Sequence, residues 1–332
     1  MGPRETKLIA QAIALNNGGL NRLNVDFPTG EGWENLELRF NLVVVIGTGT
    51  GAISEGELRY LRNIFLKTDR GELIVNNCPG RFIYKRAQAL RGTAGEKDAI
   101  AAASATYVVP IPILFSDPRM KQEDIMVVDG VPLVAHTMLD TSRYGSLELL
   151  ITLGSVADLF STVGTSTVAT NVDIIVTRRR GILALPEKPS FYVELGVRSP
   201  VNVTTATEIN LERIGNMSYK RAYLFAGSSG DVALAFSGDA SNTIIDQITV
   251  DDEQKAFEDV IADMLRRENR QFYSLETLVT GFHVLDYVKD GELRQALYSG
   301  DKPRLKAKWT NLAGLPATPI VSLGYEAVKP LL

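Results

Sequence analysis

Apolar and polar residues alternate along much of this chain, and the alternation predicts β-strands. Six segments place apolar side chains at every second position: 36–42, 147–153, 172–177, 232–236, 305–310 and 321–325. A period of two is typical of a strand that buries one face and exposes the other, as in antiparallel sheets. The pattern therefore predicts an all-β fold with minor helices.

The segment YVVPIPILF, residues 107–115, also looks like a strand but carries two prolines. Pro110 and Pro112 have no backbone N–H with which to pair with a neighbouring strand. We therefore expect this segment at a sheet edge or at a bulge.

The N-terminal residues have the spacing of a helix instead. Within residues 4–17, the apolar side chains Leu8, Ile9, Ala12 and Ile13 fall on one helical face. Two asparagines and two glycines follow and would end the helix. The sequence therefore predicts a short helical arm at the N-terminus.

Two further helices are predicted at about 55–65 and about 252–269. The second of these has a stripe of apolar residues at helical spacing: Phe257, Val260, Ile261, Met264 and Leu265. Asp251, with Gln254 three residues later, fits a capping box at its start. We interpret the stripe as a surface that packs against a core.

The stretch RRRGILALPEKPS, residues 178–190, predicts an internal boundary. It holds a charge run, a glycine and two prolines between strand-like segments. We therefore predict a helical arm at 1–20, a first domain at 21–180, a linker at 181–190 and a second domain at 191–332. The two domains are similar in size and strand content, although no obvious sequence repeat relates them.

The stretch LVVVIGTGTGA, residues 42–52, resembles the start of a dinucleotide-binding unit. Gly47, Gly49 and Ala52 fit the pattern G-x-G-x-x-A, which would suit an NAD(P)- or FAD-dependent oxidoreductase. The helix signal comes too late for a phosphate cradle, because Ser54 and Glu57 form a capping box beyond the glycines. The interpretation that we favour is a flexible, glycine-rich turn between a strand and a short helix.

Composition excludes several kinds of site. The 332 residues include one cysteine, Cys78, and two histidines, His136 and His283. A disulfide within the chain and a histidine-rich metal site are therefore excluded. The net charge of −4 gives no overall basic field, so we expect no sequence-specific nucleic acid partner. No segment resembles a signal peptide, so we expect synthesis in a cytoplasm.

Three local motifs are weak candidates for chemistry. GSSGD at 227–231 has aspartate where a nucleophile elbow needs its last glycine. The arginines at 178–180 could meet phosphates, but a solvated linker is the favoured interpretation. The acidic residues at 251–253 could bind calcium, but a helix's first turn also favours acidic residues.

Three long stretches resemble the major capsid proteins of icosahedral bacteriophages with an internal membrane, a double jelly-roll family of the adenovirus-like lineage. They are RYLRNIFLKTDRGELIVNNCPGRFIY (59–84), KDAIAAASATYVVPIPILFSDPRM (97–120) and LDTSRYGSLELLITLGSVADLF (139–160). They resemble that family's N-terminal domain. The second half, with GFHVLDYVKDGELRQAL (281–297), is compatible with its C-terminal domain.

The resemblance implies two tandem eight-stranded jelly-roll β-sandwiches in each chain. It implies a structural protein of the virion capsid, not an enzyme, made in the host cytoplasm. Three copies would form a homotrimer with a pseudo-hexagonal outline, and the trimers would tile a shell around an internal membrane. Neighbouring trimers and penton or minor capsid proteins would be its partners.

The resemblance also suggests a role for the N-terminal arm, which commonly lies at the inner face of the shell. The residues expected to contact membrane lipids or penton proteins are Arg4, Lys7, Leu8, Ile9 and Ile13. No cofactor is expected. Structural calcium ions that tie subunits together are compatible with the resemblance, but no residues here locate such a site.

A carbohydrate-binding β-sandwich is the alternative from another class, beside the oxidoreductase. It would need aromatic residues on an exposed sheet face, and Trp33 and Trp309 are the only tryptophans.

Overall fold

The computed structural model describes most of the chain. The described residues are 4–23, 25–48, 51–92, 96–116, 127–128, 131–132, 138–179, 191–211, 217–289, 295–300, 302 and 304–330. The predicted linker at 181–190 lies outside them, as do His136, Gly49 and Arg180.

The chain divides into two compact units. The first runs to Tyr192 and the second starts at Val193, with Ala89–Gly92 counted in the second. We describe each unit by itself.

The first unit is built from strands with two helices between them. Its strands are β1 (Arg4–Leu15), β2 (Leu20–Leu23), β3 (Gly32–Val45), β4 (Leu61–Thr68), β5 (Leu73–Cys78), β6 (Ala105–Leu114), β7 (Val127–Val128), β8 (Val131–Pro132), β9 (Leu139–Asp140), β10 (Leu147–Leu153) and β11 (Thr167–Arg179). Its helices are α1 (Gly56–Tyr60) and α2 (Gly80–Arg91), and short 3₁₀ turns lie at Thr141–Arg143 and Val156–Asp158.

The sandwich of the first unit has two layers, each with four principal strands. One has the order β1-β11-β3-β6, with β9 beside the start of β3, and the other has the order β5-β4-β10-β2. The neighbours in both sheets are antiparallel. Apolar residues at every second position of β3, such as Leu38, Phe40 and Leu42, are fully buried. Leu149 and Ile151 of β10 are equally buried, so the core lies between the two sheets.

The second unit contains the remaining strands and one helix. They are β12 (Phe191–Val197), β13 (Val201–Asn202), β14 (Glu208–Asn210), β15 (Ser218–Ser228), β16 (Asp239–Ala240), β17 (Ile245–Asp251), β18 (Ala256–Ile261), α3 (Ala262–Phe272), β19 (Phe282–Asp286), β20 (Leu297–Tyr298), β21 (Lys306–Asn311) and β22 (Ile320–Pro330).

The second unit has the same topology as the first. One sheet has the order β12-β22-β15, with β16, β19 and β20 paired along β15, and the other has the order β14-β21-β17-β18. In each unit a helix leaves the last strand of the second sheet and leads back to the first sheet: α2 between β5 and β6, and α3 between β18 and β19. Two tandem jelly-roll sandwiches are therefore confirmed, together with the all-β fold with minor helices.

Most of the predicted strands are confirmed. β3, β10, β11, β21 and β22 cover five of the six alternating segments. The proline-bearing segment forms β6 at the edge of its sheet, with Pro110 opposite Arg39 and Pro112 opposite Glu37. The strand predicted at 232–236 is wrong. These residues lie in turns, where the Asp231 carboxylate accepts a hydrogen bond from the backbone N–H of Ala233.

The predicted N-terminal helix is also wrong, because these residues form strand β1. It pairs with β11, from Arg4 opposite Arg179 to Leu15 opposite Thr170. Two register shifts interrupt the pairing, one between Leu8 and Ala10 and one between Ala10 and Ile13. These irregularities break the period of two, so a bulged strand has the apolar spacing of a helix.

The two other predicted helices are shorter than expected. Only Gly56–Tyr60 of 55–65 is helical, because the chain then enters β4 and pairs with β10. The predicted capping box is absent from α1: Glu55 precedes the helix with left-handed backbone (φ +52°), and Glu57 pairs with Lys97.

The segment at 252–269 combines a turn, a strand and a helix. The Asp252 carboxylate accepts hydrogen bonds from the backbone N–H groups of Gln254 and Lys255, which makes the turn. Residues 256–261 form β18 against β17, and the helix starts at Ala262. The predicted stripe mixes side chains of the strand with side chains of the helix.

Helix α2 was missed because its buried face carries charge. Arg81, Lys85 and Arg86 are all buried in it, and the Glu55 carboxylate pairs with Arg81 and Lys85. This hides the apolar period by which a helix is recognised.

Candidate functional site

The glycine-rich loop after β3 packs backbone to backbone against the loop before β11. A Cβ atom on Gly47 would lie 2.0 Å from Thr165 Oγ1, and one on Gly164 would lie 1.6 Å from the carbonyl oxygen of Thr48. Ser161 N donates to the carbonyl of Gly51 at 2.8 Å. These glycines allow a close approach of two chain segments.

The dinucleotide-binding interpretation is therefore wrong. β3 lies between β11 and β6, and both pairings are antiparallel, whereas a dinucleotide-binding unit needs a parallel sheet. The helix that follows, α1, has only five residues. The glycine pattern serves packing at one end of the first sandwich.

Replacing Gly164 with alanine tests this role. Gly164 has φ +49° and no room for a Cβ, whereas Gly18 has φ +69° and nothing within 4 Å of its Cβ position. Gly18→Ala carries only the left-handed backbone cost of about 1–2 kcal/mol. We expect Gly164→Ala to lower the free energy of unfolding by more than this, measured by denaturant titration. Equal losses in the two variants would contradict the close-packing role.

The predicted arm residues lie along β1, at the open edge of its sheet. Arg4 Nε contacts Glu34 Oε2 at 2.7 Å. Leu8 is about half exposed, with a relative exposure of 49%. Lys7 and Ile9 line a groove of about 200 Å³, which is completed by Asp26, Phe27 and Pro28.

These five residues do not form one patch. Ile13 lies opposite Val172, nine residues beyond Arg4, and a strand rises about 3.3 Å per residue. Because two register shifts shorten β1, Arg4 and Ile13 lie opposite residues that are only seven positions apart on β11, which is about 23 Å. The structure brings Lys7 and Ile9 together in the groove, with Leu8 between them in sequence.

The arginines at the end of β11 belong to a structural ion-pair cluster. Arg178 is buried, and its guanidinium lies 2.5 Å from Glu31 and 3.1 Å from Glu5. Arg179 Nε lies 2.5 Å from Glu34. Both predicted interpretations, a phosphate site and a solvated linker, are wrong for these two residues, because carboxylates already neutralise them.

The acidic residues at 251–253 are likewise engaged. Asp251 pairs with Lys308, and Glu253 pairs with Arg304 and Lys306. Asp252 makes the turn described above. In the part of the chain that the structure describes, no group of three or more His, Cys, Asp or Glu residues could hold a metal ion.

Other sequence candidates are buried. Cys78 and His283 lie in the core, where burial, with the nearby Arg266 charge, lowers the pKa of His283 to about 3. Trp33 and Trp309 are buried too, so neither can serve as an exposed platform for carbohydrate. No helix among the described residues is long and apolar enough to span a membrane.

Sequence reasoning missed a buried charge cluster in the second unit. Arg221 is fully buried, with Asp286 at 3.1 Å and Glu326 at 3.0 Å. The hydroxyl of Tyr223 donates to Glu326 at 2.9 Å, and that of Tyr273 donates to Asp286. The one sequence signal is the pair Lys220–Arg221 inside an otherwise apolar strand. All these groups are closed to solvent, so the cluster supports the fold.

Comparison with solved structures identifies the fold across both units. The chain is similar over 98% of its length to the crystal structure of the STIV MCP, from Sulfolobus Turreted Icosahedral Virus, with 97% of that chain covered, a TM-score of 0.70 and 14% identity. It is similar over 99% of its length to the major capsid protein P2 from bacteriophage PM2, with 98% covered, a TM-score of 0.62 and 13% identity.

A third similar structure is PBCV-1 VP54, fitted into a reconstruction of the virophage Sputnik. The similarity covers 99% of this chain and 94% of the VP54 chain, with a TM-score of 0.58 and 12% identity. No protein-family model and no curated protein matches the sequence. The likeness confirms the predicted double jelly-roll fold.

Proposed function

We propose that this chain is a major capsid protein that builds an icosahedral viral shell. The observation that carries the proposal is the structural similarity to the STIV and PM2 capsid proteins, which covers 98% and 99% of this chain and so includes both jelly rolls. The buried charge clusters and engaged acidic residues support a structural role and not an enzymatic one. The oxidoreductase alternative depended on a dinucleotide-binding loop, and the glycine loop follows an antiparallel strand instead. The carbohydrate-binding alternative depended on exposed aromatic residues, and both tryptophans are buried.

The assembly unit in this proposal is a homotrimer. Three chains with two jelly rolls each would place six sandwiches around one axis, which gives a pseudo-hexagonal outline that can tile a surface. Burial across its interfaces supplies the affinity, and permanent interfaces typically exceed about 2,000 Å². Penton or minor capsid proteins would fill the remaining positions of a virion shell.

Negative-stain electron microscopy tests this proposal. We expect single particles of the purified protein to show six lobes around a three-fold axis, and sheets or closed shells to form on concentration. Particles with only two lobes at every concentration would contradict it.

The proposal places the N-terminal strand towards an internal membrane. Arg4, Lys7, Leu8 and Ile9 lie in the first half of β1, and Lys7 and Leu8 are exposed. A cation beside an exposed leucine suits the surface of an anionic bilayer, although so small a contact binds weakly alone. Ile13 lies too far along the strand to share that contact, so its predicted role is the least supported.

Vesicle flotation tests the membrane contact. We expect the wild-type assembly to float with vesicles that contain phosphatidylglycerol, and Lys7→Glu/Leu8→Asp to remove most of that binding, because it replaces a cation and an apolar group with carboxylates. Lys67→Glu/Leu20→Asp is the matched control, with exposed residues of the same types on β4 and β2. Equal loss of binding in both variants would contradict a specific role for β1.

A further inference from the structure

The groove beside β1 has an apolar floor and two charges of opposite sign at its rim. Its volume is about 200 Å³, and it is lined by Lys7, Ile9, Asp26, Phe27 and Pro28. Phe27 is buried, Ile9 and Pro28 are half-buried, and Lys7 and Asp26 are exposed. The groove therefore combines an apolar surface with one cation and one carboxylate that reach solvent.

The fold fixes the shape of this groove. The Phe27 ring on its floor packs against Trp33, with 5.5 Å between the ring centroids, and Trp33 is fully buried. The first register shift of β1, between Leu8 and Ala10, falls at Ile9, and irregularities of this kind redirect side chains. β1 is also the edge strand of its sheet, so no other described strand lies along its outer side. The groove is therefore a built feature at an open sheet edge.

The two charges at the rim are not neutralised within the described part of the chain. Among the described residues, no carboxylate lies within 4.0 Å of the Lys7 ammonium, and no cation lies within 4.0 Å of the Asp26 carboxylate. By contrast, Arg4 of the same strand pairs with Glu34. Lys7 and Asp26 therefore present a separated cation and anion to whatever enters the groove.

A ligand that matches this groove carries an anion and a cation on a short carbon link. Phosphoethanolamine, the headgroup of an aminophospholipid, has a phosphate and a primary ammonium joined by an ethylene link. Its phosphate would accept hydrogen bonds from the Lys7 ammonium, its ammonium would donate to the Asp26 carboxylate, and its carbons would lie on Phe27 and Pro28.

The same two charges discriminate against other headgroups. Phosphocholine carries a phosphate and a cation, but its quaternary ammonium has no N–H to donate to Asp26. A purely anionic headgroup would suit Lys7 but would bring its negative charge against the Asp26 carboxylate. The primary ammonium is therefore the group that the groove selects.

We propose that the groove beside β1 binds the phosphoethanolamine headgroup of a lipid in the internal membrane. The inference rests on the membrane contact in the proposed function and names the headgroup that this contact recognises. An exposed charge contact contributes little on its own. A shell that presents many copies of the groove to one bilayer adds these contacts together.

Flotation of the wild-type assembly with two kinds of vesicle tests the headgroup. Both contain the same share of phosphatidylglycerol, and the remainder is phosphatidylethanolamine in one and phosphatidylcholine in the other. The two vesicles have equal net charge, so the comparison isolates the ammonium group. We expect half-maximal binding at about fivefold less lipid with phosphatidylethanolamine, as one exposed charge contact allows.

Asp26→Asn should abolish this preference and keep binding to both vesicles, because phosphatidylglycerol still attracts Lys7. Asp246→Asn is the matched control and should keep the preference, since Asp246 is an exposed aspartate of the second unit with no ion pair among the described residues. Each variant replaces an exposed carboxylate with its isosteric amide, and thermal melting confirms that both fold. A preference that survives in Asp26→Asn, or that both variants lose equally, overturns the inference.

Free O-phosphoethanolamine separates a lipid from a soluble ligand of the same chemistry. We expect it to compete with the vesicles only at concentrations at least tenfold above that of the lipid headgroup, since a bilayer engages many grooves at once. Competition at equal concentration overturns the lipid assignment. Equal binding of the wild type to both vesicles overturns the inference and leaves the membrane contact intact, whereas no flotation with either vesicle contradicts both.

Discussion

Replacing Arg221 with methionine is expected to lower the free energy of unfolding of the second unit by about 3–5 kcal/mol. The guanidinium is fully buried between Asp286 and Glu326. Its removal leaves two buried carboxylates with Lys220, 3.8 Å from Glu326, as the nearby cation. Removing one partner of a buried ion pair leaves an uncompensated charge in the low-dielectric core, and this destabilises the fold far more than the loss of the contact itself.

Denaturant titration at fixed protein concentration measures this effect. Trp33 belongs to the first unit and Trp309 to the second, so fluorescence in a Trp33→Phe background follows the second unit alone. Arg267→Met is the matched control, because its ion pair with Asp263 is exposed and should contribute less than about 1 kcal/mol. Similar losses in the two variants would contradict a stabilising role for the buried cluster.

Acidification between pH 6.5 and about 5 is expected to destabilise the second unit through His283. Burial and the nearby Arg266 charge lower the pKa of His283 from 6.5 to about 3, while Asp263 opposes the shift. Between these two pKa values the unfolded chain binds a proton that the folded chain does not. Stability is therefore full above pH 6.5 and falls with pH by about 1.4 kcal/mol per unit, or about 2 kcal/mol at pH 5.

His283→Leu should remove this part of the pH dependence. His136→Leu, which changes the only other histidine, is the control and should keep it. Glu55 does not titrate in this pH window. Burial alone would raise the pKa of Glu55, but the charges of Arg81 and Lys85 outweigh burial and lower that pKa from 4.5 to about 2. Its contribution is lost only below about pH 4.5. The same slope in wild type and His283→Leu would contradict the assignment.

The alternating strands could be predicted because their period depends only on one buried face. β3 from Leu36 onward and β10 follow this period, and their burial alternates as the sequence indicates. β1 could not be predicted, because its two register shifts are set by pairing with β11, which lies over 150 residues away in sequence. The pairing of β18 with β17 likewise overrode a helical pattern that local residues favoured.

The buried charges mark the limit of sequence reasoning about sites. Arg178, Arg221 and Lys85 look like surface residues in sequence, since buried cations need partners that only the fold brings together. Local sequence signals were enough to disfavour a phosphate-binding role for the glycine loop, because the capping pattern lies too late in the chain for a phosphate cradle. The capping box itself did not form, so the favoured interpretation of the loop held for a different reason, the packing of Gly47 and Gly164.

The solution mass of the purified protein tests the central claim most directly. Light scattering from low to high micromolar concentration should give a mass of three times the 36.3 kDa chain, with larger sheets or closed particles as the concentration rises. A mass of one chain throughout that range would contradict a protein that assembles a shell from trimers.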